Sequence, residues 1–271
     1  MTITTSANNP RLSEDKPVLD EIIKNLERRW GLTLASFLPP EAQACMQVWQ
    51  MAIARLWGEG DAAIRRSREW IEYADRMQLH CTQCTLTRSD PGGPVSAAAF
   101  IKPGRLLQDV LHAIDDITSQ IAPFKVVLTR LALNGAIFTA WGETIDEPAR
   151  KQREQLLRGF AKHLPDYCNV RMREWDTDSA KYGDIHCSIA ALKRQPPQEY
   201  QSLVNNVAGI AGLQCDPFTI AGVTLVHHRM RTLAFPQQGS WYFPFGLHAT
   251  MPAESDVLGL DTTLSTGDAK P

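Results

Sequence analysis

Several features that would assign the chain to a special class are absent from its 271 residues. No run of about 18 apolar residues is present, so the sequence predicts no transmembrane helix. The first ten residues combine neither a basic start nor an apolar stretch, which is not typical of a secretory signal, and the expected location is the cytoplasm. The net charge of -2 gives no global basic field, so strong non-specific nucleic-acid binding is not expected.

Cysteine is also scarce, with six residues in the chain, which is too few for a disulfide scaffold of this length. Free thiols are the expectation for a cytoplasmic protein. Cys81 and Cys84 form a CxxC pair, but a redox motif needs a helix N-terminus and a zinc site needs two further ligands at short spacing. We expect both to be core cysteines on opposite faces of a strand, with no metal site. The 44% hydrophobic fraction supports one or two globular domains.

What the chain does contain is a nine-residue pattern that occurs twice, at 80–88 and at 186–194. The histidine, the cysteine, the hydroxyl residue two after the histidine, a leucine and a final arginine recur at the same offsets. A Pro-Phe pair follows each copy, at Pro123 and at Pro217. The recurrence indicates two similar lobes that each present one histidine and one hydroxyl.

Hydrophobic periodicity predicts an α+β fold with antiparallel strands rather than a doubly wound sheet. We expect an N-terminal tail and helix over 1–35, a two-lobed domain over 36–248 and a disordered tail over 249–271. The lobes are expected at about 60–145 and 165–240. Helices are predicted near 18–30, 40–57, 62–76, 104–120, 147–163 and 198–209, and strands near 79–87, 124–132, 136–142, 184–192, 217–227 and 230–236. Asn134-Gly135 is a strong hairpin signal.

The two histidine motifs carry the chemistry. Because side chains alternate along a strand, His80 shares a face with Thr82, and His186 with Ser188. One neutral imidazole is suited to accept a proton from a nucleophile, and one imidazolium to donate a proton to a leaving oxygen. The two hydroxyls are placed to hold non-bridging phosphate oxygens, so this scheme needs neither a metal ion nor another cofactor.

Here the chain resembles the two-histidine (2H) phosphoesterase superfamily, the LigT-like proteins, whose signature is two copies of His-x-Ser/Thr-x. The resemblance covers roughly residues 40–236, and the second copy fits fully, whereas the first carries Gln83 where an apolar residue is usual. It implies a bilobal fold with a pseudo-two-fold axis. It also implies metal-independent hydrolysis or ligation of 2′,3′-cyclic phosphates or 2′-5′ phosphodiesters at a nucleotide or RNA end. By motif, His80 and His186 would be acid and base, and Thr82 and Ser188 phosphate ligands.

Further residues near the motifs are candidates for substrate binding. Arg88 and Arg194 either reach a phosphate or solvate the strand ends, and Tyr182 either stacks a base or packs in the core. The same two alternatives apply to the aromatic residues over 241–245. Two rival functions stay open at this point. One is a non-catalytic module that binds a nucleotide or RNA end in the same cleft, and the other is recruitment of the fold to different chemistry.

Overall fold

The computed structural model describes residues 30–88, 104–165, 183–205, 207, 210, 213–229 and 239–246. Nine strands in these residues form one sheet. The strands are β1 (Trp30–Phe37), β2 (Ile71–Tyr73), β3 (His80–Arg88), β4 (Phe124–Asn134), β5 (Ile137–Thr144), β6 (Asp184–Leu192), β7 (Phe218–Ile220), β8 (Gly222–Arg229) and β9 (Gly239–Pro244). The helices are α1 (Pro40–Ala54), α2 (Gly60–Ser67), α3 (Gly104–Thr118), α4 (Glu147–His163) and α5 (Gln198–Asn205).

The sheet runs in the order β7-β4-β5-β6-β3-β1-β8-β9, with β2 added beside β6. Every neighbouring pair is antiparallel, which confirms the predicted α+β class. Outward from the centre, β6-β5-β4-β7 on one side is matched by β3-β1-β8-β9 on the other. The two histidine strands, β6 and β3, are therefore the innermost pair of a duplicated arrangement.

The lobes are not consecutive in the chain, and here the structure differs from the prediction. The hairpin β4–β5 pairs with β6, the second histidine strand, although it follows the first histidine strand in sequence. Strand β8, from the C-terminal part, instead pairs with β1 beside the first histidine strand. The hairpin signal at Asn134-Gly135 specified which strands pair with each other, but a local turn carries no information about which larger sheet the hairpin joins.

Strand β1 lies between β3 and β8, so residues 30–37 belong to the interior of the sheet. The sequence analysis placed residues 30–35 in an N-terminal helical extension. The rest of that predicted helix, and the predicted C-terminal tail, lie outside the described residues. Leu34 and Ala35 point to opposite faces of β1, and both are buried, because the strand is covered on both sides.

Helix α4 begins and ends where the sequence predicted. The Asp146 carboxylate accepts a hydrogen bond from the Ala149 N–H at 2.8 Å, which caps the helix N-terminus. Its buried side chains recur at helical spacing and form the stripe that packs against α3 and the sheet: Ala149, Arg153, Leu156, Leu157 and Phe160. One member of this apolar stripe is a charged arginine.

Helix α2 ends at Ser67, well before the predicted end at residue 76. The residues after it form β2, which pairs with β6 through Ile71↔Leu192 and Tyr73↔Ala190. Pairing with a distant strand overrides the helical spacing of the local sequence, because ladder bonds and burial of Ile71 are gained only in the folded state.

A disulfide joins Cys45 of α1 to Cys215, with their Cα atoms 5.9 Å apart. The expectation of free thiols throughout the chain is therefore wrong for this pair, since cysteines 170 positions apart meet only through the tertiary fold. No helix in the described residues combines the length and hydropathy needed to cross a bilayer.

Candidate active site

The site is built on the contact between β3 and β6. These antiparallel strands meet at the register pair Cys81↔Cys187. In an antiparallel ladder this register sets His80 across from Ser188, and Thr82 across from His186. The four polar side chains of the two motifs thus form a compact square at the centre of the sheet.

Burial distinguishes the two faces of this square. Cys81 and Cys187 are fully buried, on the face that packs against α4. The four polar side chains alternate with them and are all half-buried on the opposite face: His80, Thr82, His186 and Ser188. Burial raises the pKa of Cys81 to about 12 and that of Cys187 well above its ordinary value, so both thiols are uncharged.

Each hydroxyl is followed by a β-bulge. On β3 the register steps from Ala35↔Thr82 to Leu34↔Cys84, so Gln83 has no residue directly opposite it in the ladder with β1. On β6 the register with β5 likewise skips Ile189, the residue after Ser188. A bulge bends its strand and changes the direction of the neighbouring side chain. The two lobes have a bulge at the same position of the motif.

The bulge also corrects the expectation for the CxxC pair. Cys84 pairs with Leu34 and Cys81 with Ser36, two residues apart on β1, so both cysteines point to the same buried face. A regular strand would have placed them on opposite faces. Both lie in the core and neither is part of a disulfide. No group of three or more His, Cys, Asp or Glu side chains among the described residues is arranged to hold a metal ion.

His80 is held in one orientation. Its Nδ1 lies 2.8 Å from the Gln78 carbonyl oxygen. A carbonyl only accepts, so Nδ1 carries the proton and donates, and Nε2 is the nitrogen left for chemistry. Phe37, its register partner on β1, tilts against the imidazole at 5.8 Å between ring centroids. Burial lowers the pKa of His80, and the bond to Gln78 opposes that shift.

His186 lies in the equivalent place on the other lobe, against an aromatic neighbour on β5. The ring centroids of His186 and Trp141 are 5.1 Å apart, and the guanidinium of Arg130 on β4 lies 5.7 Å from the Trp141 centroid. Burial lowers the pKa of His186 to about 4, with smaller contributions from the positive charge of Arg153 and from His80.

Beneath the first motif, Gln83 makes a buried polar link. Its Oε1 accepts from Arg153 Nε at 3.4 Å, and its Nε2 donates to Ser36 Oγ at 3.2 Å. Ser36 Oγ in turn donates to the Gly222 carbonyl at 2.9 Å. The glutamine at a usually apolar position is therefore explained, because its amide bridges the α4 guanidinium and a hydroxyl on β1.

Of the other predicted substrate-binding residues, the two arginines do not lie at this square. Arg194 lies beyond the end of β6, where its guanidinium stacks on Trp70 at 4.0 Å and contacts Glu69. Arg88 is the last residue of β3, paired with Gly31, and Tyr182 lies outside the described residues. Of the C-terminal aromatics, Trp241, Phe243 and Phe245 are core residues, as one of the two alternatives predicted, and Tyr242 is exposed.

Four residues near the histidines were missed by sequence reasoning: Phe37, Arg130, Trp141 and Arg153. The first three reach the face through strands that pair across the sheet, and no local motif marks them. Arg153 carried one available signal, since it occupies a core position in the apolar stripe of α4. A charge at such a position is rarely buried without a partner.

This arrangement can perform acid–base chemistry on a phosphate. The two imidazoles lie at opposite corners of the square, and such a pair matches the two proton transfers of a phosphoryl displacement. Thr82 and Ser188 sit diagonally between them as donors to phosphate oxygens. The aromatic walls at Phe37 and Trp141 close two sides of the face.

Neither a protein-family model nor a curated protein sequence matches the chain. TT0787 of Thermus thermophilus is 18% identical with a TM-score of 0.46, over 79% of this chain and 98% of that one. E. coli LigT complexed with phosphate is 13% identical with a TM-score of 0.41, over 80% and 99%. Kluyveromyces marxianus Usb1 with uridine monophosphate is 12% identical with a TM-score of 0.41, over 81% and 99%. The chain is similar in fold to these three solved structures.

Proposed function

We propose that the protein is a metal-independent phosphodiesterase that hydrolyses a cyclic phosphate or a 2′-5′ phosphodiester of a nucleotide or RNA end. The observation that carries the proposal is the register of β3 against β6, which brings His80, Thr82, His186 and Ser188 onto one half-buried face. In this register each imidazole lies across from the other lobe's hydroxyl.

In the proposed reaction, water attacks phosphorus in line with the departing ribose oxygen. One imidazole takes a proton from the water as the P–O bond forms, and the other gives a proton to the ribose oxygen as the second P–O bond breaks. The Thr82 and Ser188 hydroxyls donate to the non-bridging oxygens, whose charge grows in the transition state. The products are a ribose hydroxyl and a phosphate monoester.

We assign His80 as the acid and His186 as the base in the hydrolytic direction. Burial lowers the pKa of His80, and the Gln78 carbonyl, which accepts the Nδ1 hydrogen bond, partly opposes that shift. The positive charge of Arg153 opposes protonation of His186, which favours its neutral form. Burial favours the neutral form of both imidazoles, but only His80 has a partner that opposes this shift, so we assign the proton donor to His80.

The first experiment measures turnover of 2′,3′-cyclic nucleotides and 2′-5′ linked dinucleotides by the full chain in excess chelator. We expect His80→Ala and His186→Ala each to lower kcat by about 10²–10⁴ while inorganic phosphate still binds. His163→Ala, which removes an exposed histidine at the end of α4, is the matched control and should keep wild-type turnover. Saturable nucleotide binding without turnover would instead identify a binding module.

The second experiment tests the assignment of roles with a 4-nitrophenyl phosphodiester, whose leaving group needs no general acid. His80→Ala should recover most of its lost rate on this substrate relative to the cyclic nucleotide, because proton donation is no longer required. His186→Ala should remain impaired on both substrates. If the recovery is found in His186→Ala instead, the roles of acid and base are exchanged.

A further inference from the structure

The buried arginine behind the histidine strands has no counterpart at the second bulge. At the first bulge, Gln83 bonds to Arg153 from α4. At the second bulge the equivalent residue is Ile189, an apolar side chain, and its carbonyl oxygen accepts from the Ala74 N–H and from Gln50 Nε2. Of the two bulge residues, only Gln83 is therefore hydrogen-bonded to a cationic side chain.

Arg153 is 3% exposed. It bonds through Gln83 to Ser36, the register partner of Cys81, so it lies on the face of the sheet opposite to the imidazoles. Burial lowers the pKa of Arg153 to about 10, so the guanidinium stays charged at neutral pH. Its field reaches Cys81 and Asp184 as well as His186. Desolvating a buried charge costs free energy, and an apolar side chain at the same position would avoid that cost. A role at the site is a reason for the protein to keep the charged arginine there.

We propose that Arg153 is a positioning residue of the two-histidine site. Through Gln83 it fixes the β3 bulge and with it the Thr82 hydroxyl, and its positive charge lies behind the face that receives the phosphate. This inference rests on the proposed function for the identity of the ligand. The geometry that carries it is the chain of bonds from Arg153 through Gln83 to Ser36, three elements joined directly behind Thr82.

The experiment separates the charge from the hydrogen bond. Arg153→Met removes both, Arg153→Lys keeps the charge without the guanidinium geometry, and Gln83→Leu keeps the charge without its acceptor. Arg150→Met is the control, because Arg150 lies on the same helix but pairs with Glu147 and Glu154 at the surface. The readouts are the imidazole protons of His186 and the methyl group of Thr82 by NMR, followed against pH and against inorganic phosphate.

Two groups act on the charge of His186 in this titration, Arg153 on α4 and His80 on β3. Arg130 on β4 is the charged group next to its aromatic neighbour, with its guanidinium over the Trp141 ring. We expect Arg153→Met to shift the His186 titration to higher pH and to weaken phosphate binding by on the order of tenfold, since a nearby positive charge is lost. Arg153→Lys should leave the titration in place. Gln83→Leu should leave it in place as well and move the Thr82 methyl signal.

The proposal is overturned if folded Arg153→Met keeps the wild-type titration and phosphate affinity, or if Arg150→Met changes them equally. Should Arg153→Met not fold, Arg153→Lys and Gln83→Leu decide the matter. A Thr82 signal that is displaced in both variants supports the proposal, and a Thr82 signal that Arg153→Lys leaves in place overturns it. None of these readouts needs turnover, so failure of the phosphodiesterase proposal would be seen separately.

Discussion

His186 makes the stability of this protein depend on pH in a way that can be calculated. Its pKa falls from 6.5 in the unfolded chain to about 4 in the folded one, chiefly through burial. Between pH 6.5 and pH 4 the imidazole of His186 is protonated in the unfolded chain and neutral in the folded one. The contribution of the neutral His186 to the free energy of unfolding is therefore fully present above pH 6.5. It is lost as the pH falls toward 4, by about 3 kcal/mol at 1.36 kcal/mol per pH unit.

The measurement is urea unfolding of the wild type and of His186→Gln at pH 7, 5.5 and 4, at constant ionic strength. Because His80 titrates in both proteins, its own contribution largely cancels when the two are compared. We expect the wild type to lose about 3 kcal/mol more than the variant between pH 7 and pH 4. A difference between the two proteins that stays constant with pH would refute the conclusion that folding desolvates this imidazole.

Three further predictions concern the site and its scaffold. Since the pKa of His80 is lowered, this acid loses its proton below pH 6.5, and kcat/KM should fall as the pH rises from there, by about tenfold per pH unit. A plateau of kcat/KM that extends to about pH 8 would contradict the role of His80 as acid. Cys45→Ser should lower the free energy of unfolding by about 2–5 kcal/mol, and reductant should lower that of the wild type equally but not that of the variant. Trp141→Leu should expose one side of His186, which should raise KM and shift the His186 titration, followed by NMR, to higher pH. An unchanged titration would show that the indole does not desolvate the imidazole.

The two motifs and their immediate strands were predictable because the information is local. Alternation along a strand is enough to set His80 beside Thr82 and His186 beside Ser188. The helix at 147–163 was predictable for the same reason, with its aspartate cap and apolar stripe within one segment. These features depend on neighbours within a few residues, where sequence spacing and spatial separation nearly coincide.

The partners of the motifs were not predictable, because they come from strands far away in the chain. Trp141 reaches His186 only because β5 pairs with β6, and Ser36 reaches Gln83 only because residues 30–37 form a central strand. The disulfide between Cys45 and Cys215 depends on the same long-range assembly. Pairing of this kind depends on the total burial over the whole sheet, and a short stretch of sequence carries no information about that burial.

The sequence by itself determined which groups are available for chemistry, namely two imidazoles and two hydroxyls at matched offsets. Only the tertiary structure decided that β3 and β6 are neighbours at Cys81 and Cys187, and that a charged arginine lies behind them. The physical reason is that residue type and strand alternation are properties of the chain. Proximity, desolvation and hence the protonation of each imidazole are set by what the folded sheet places around it.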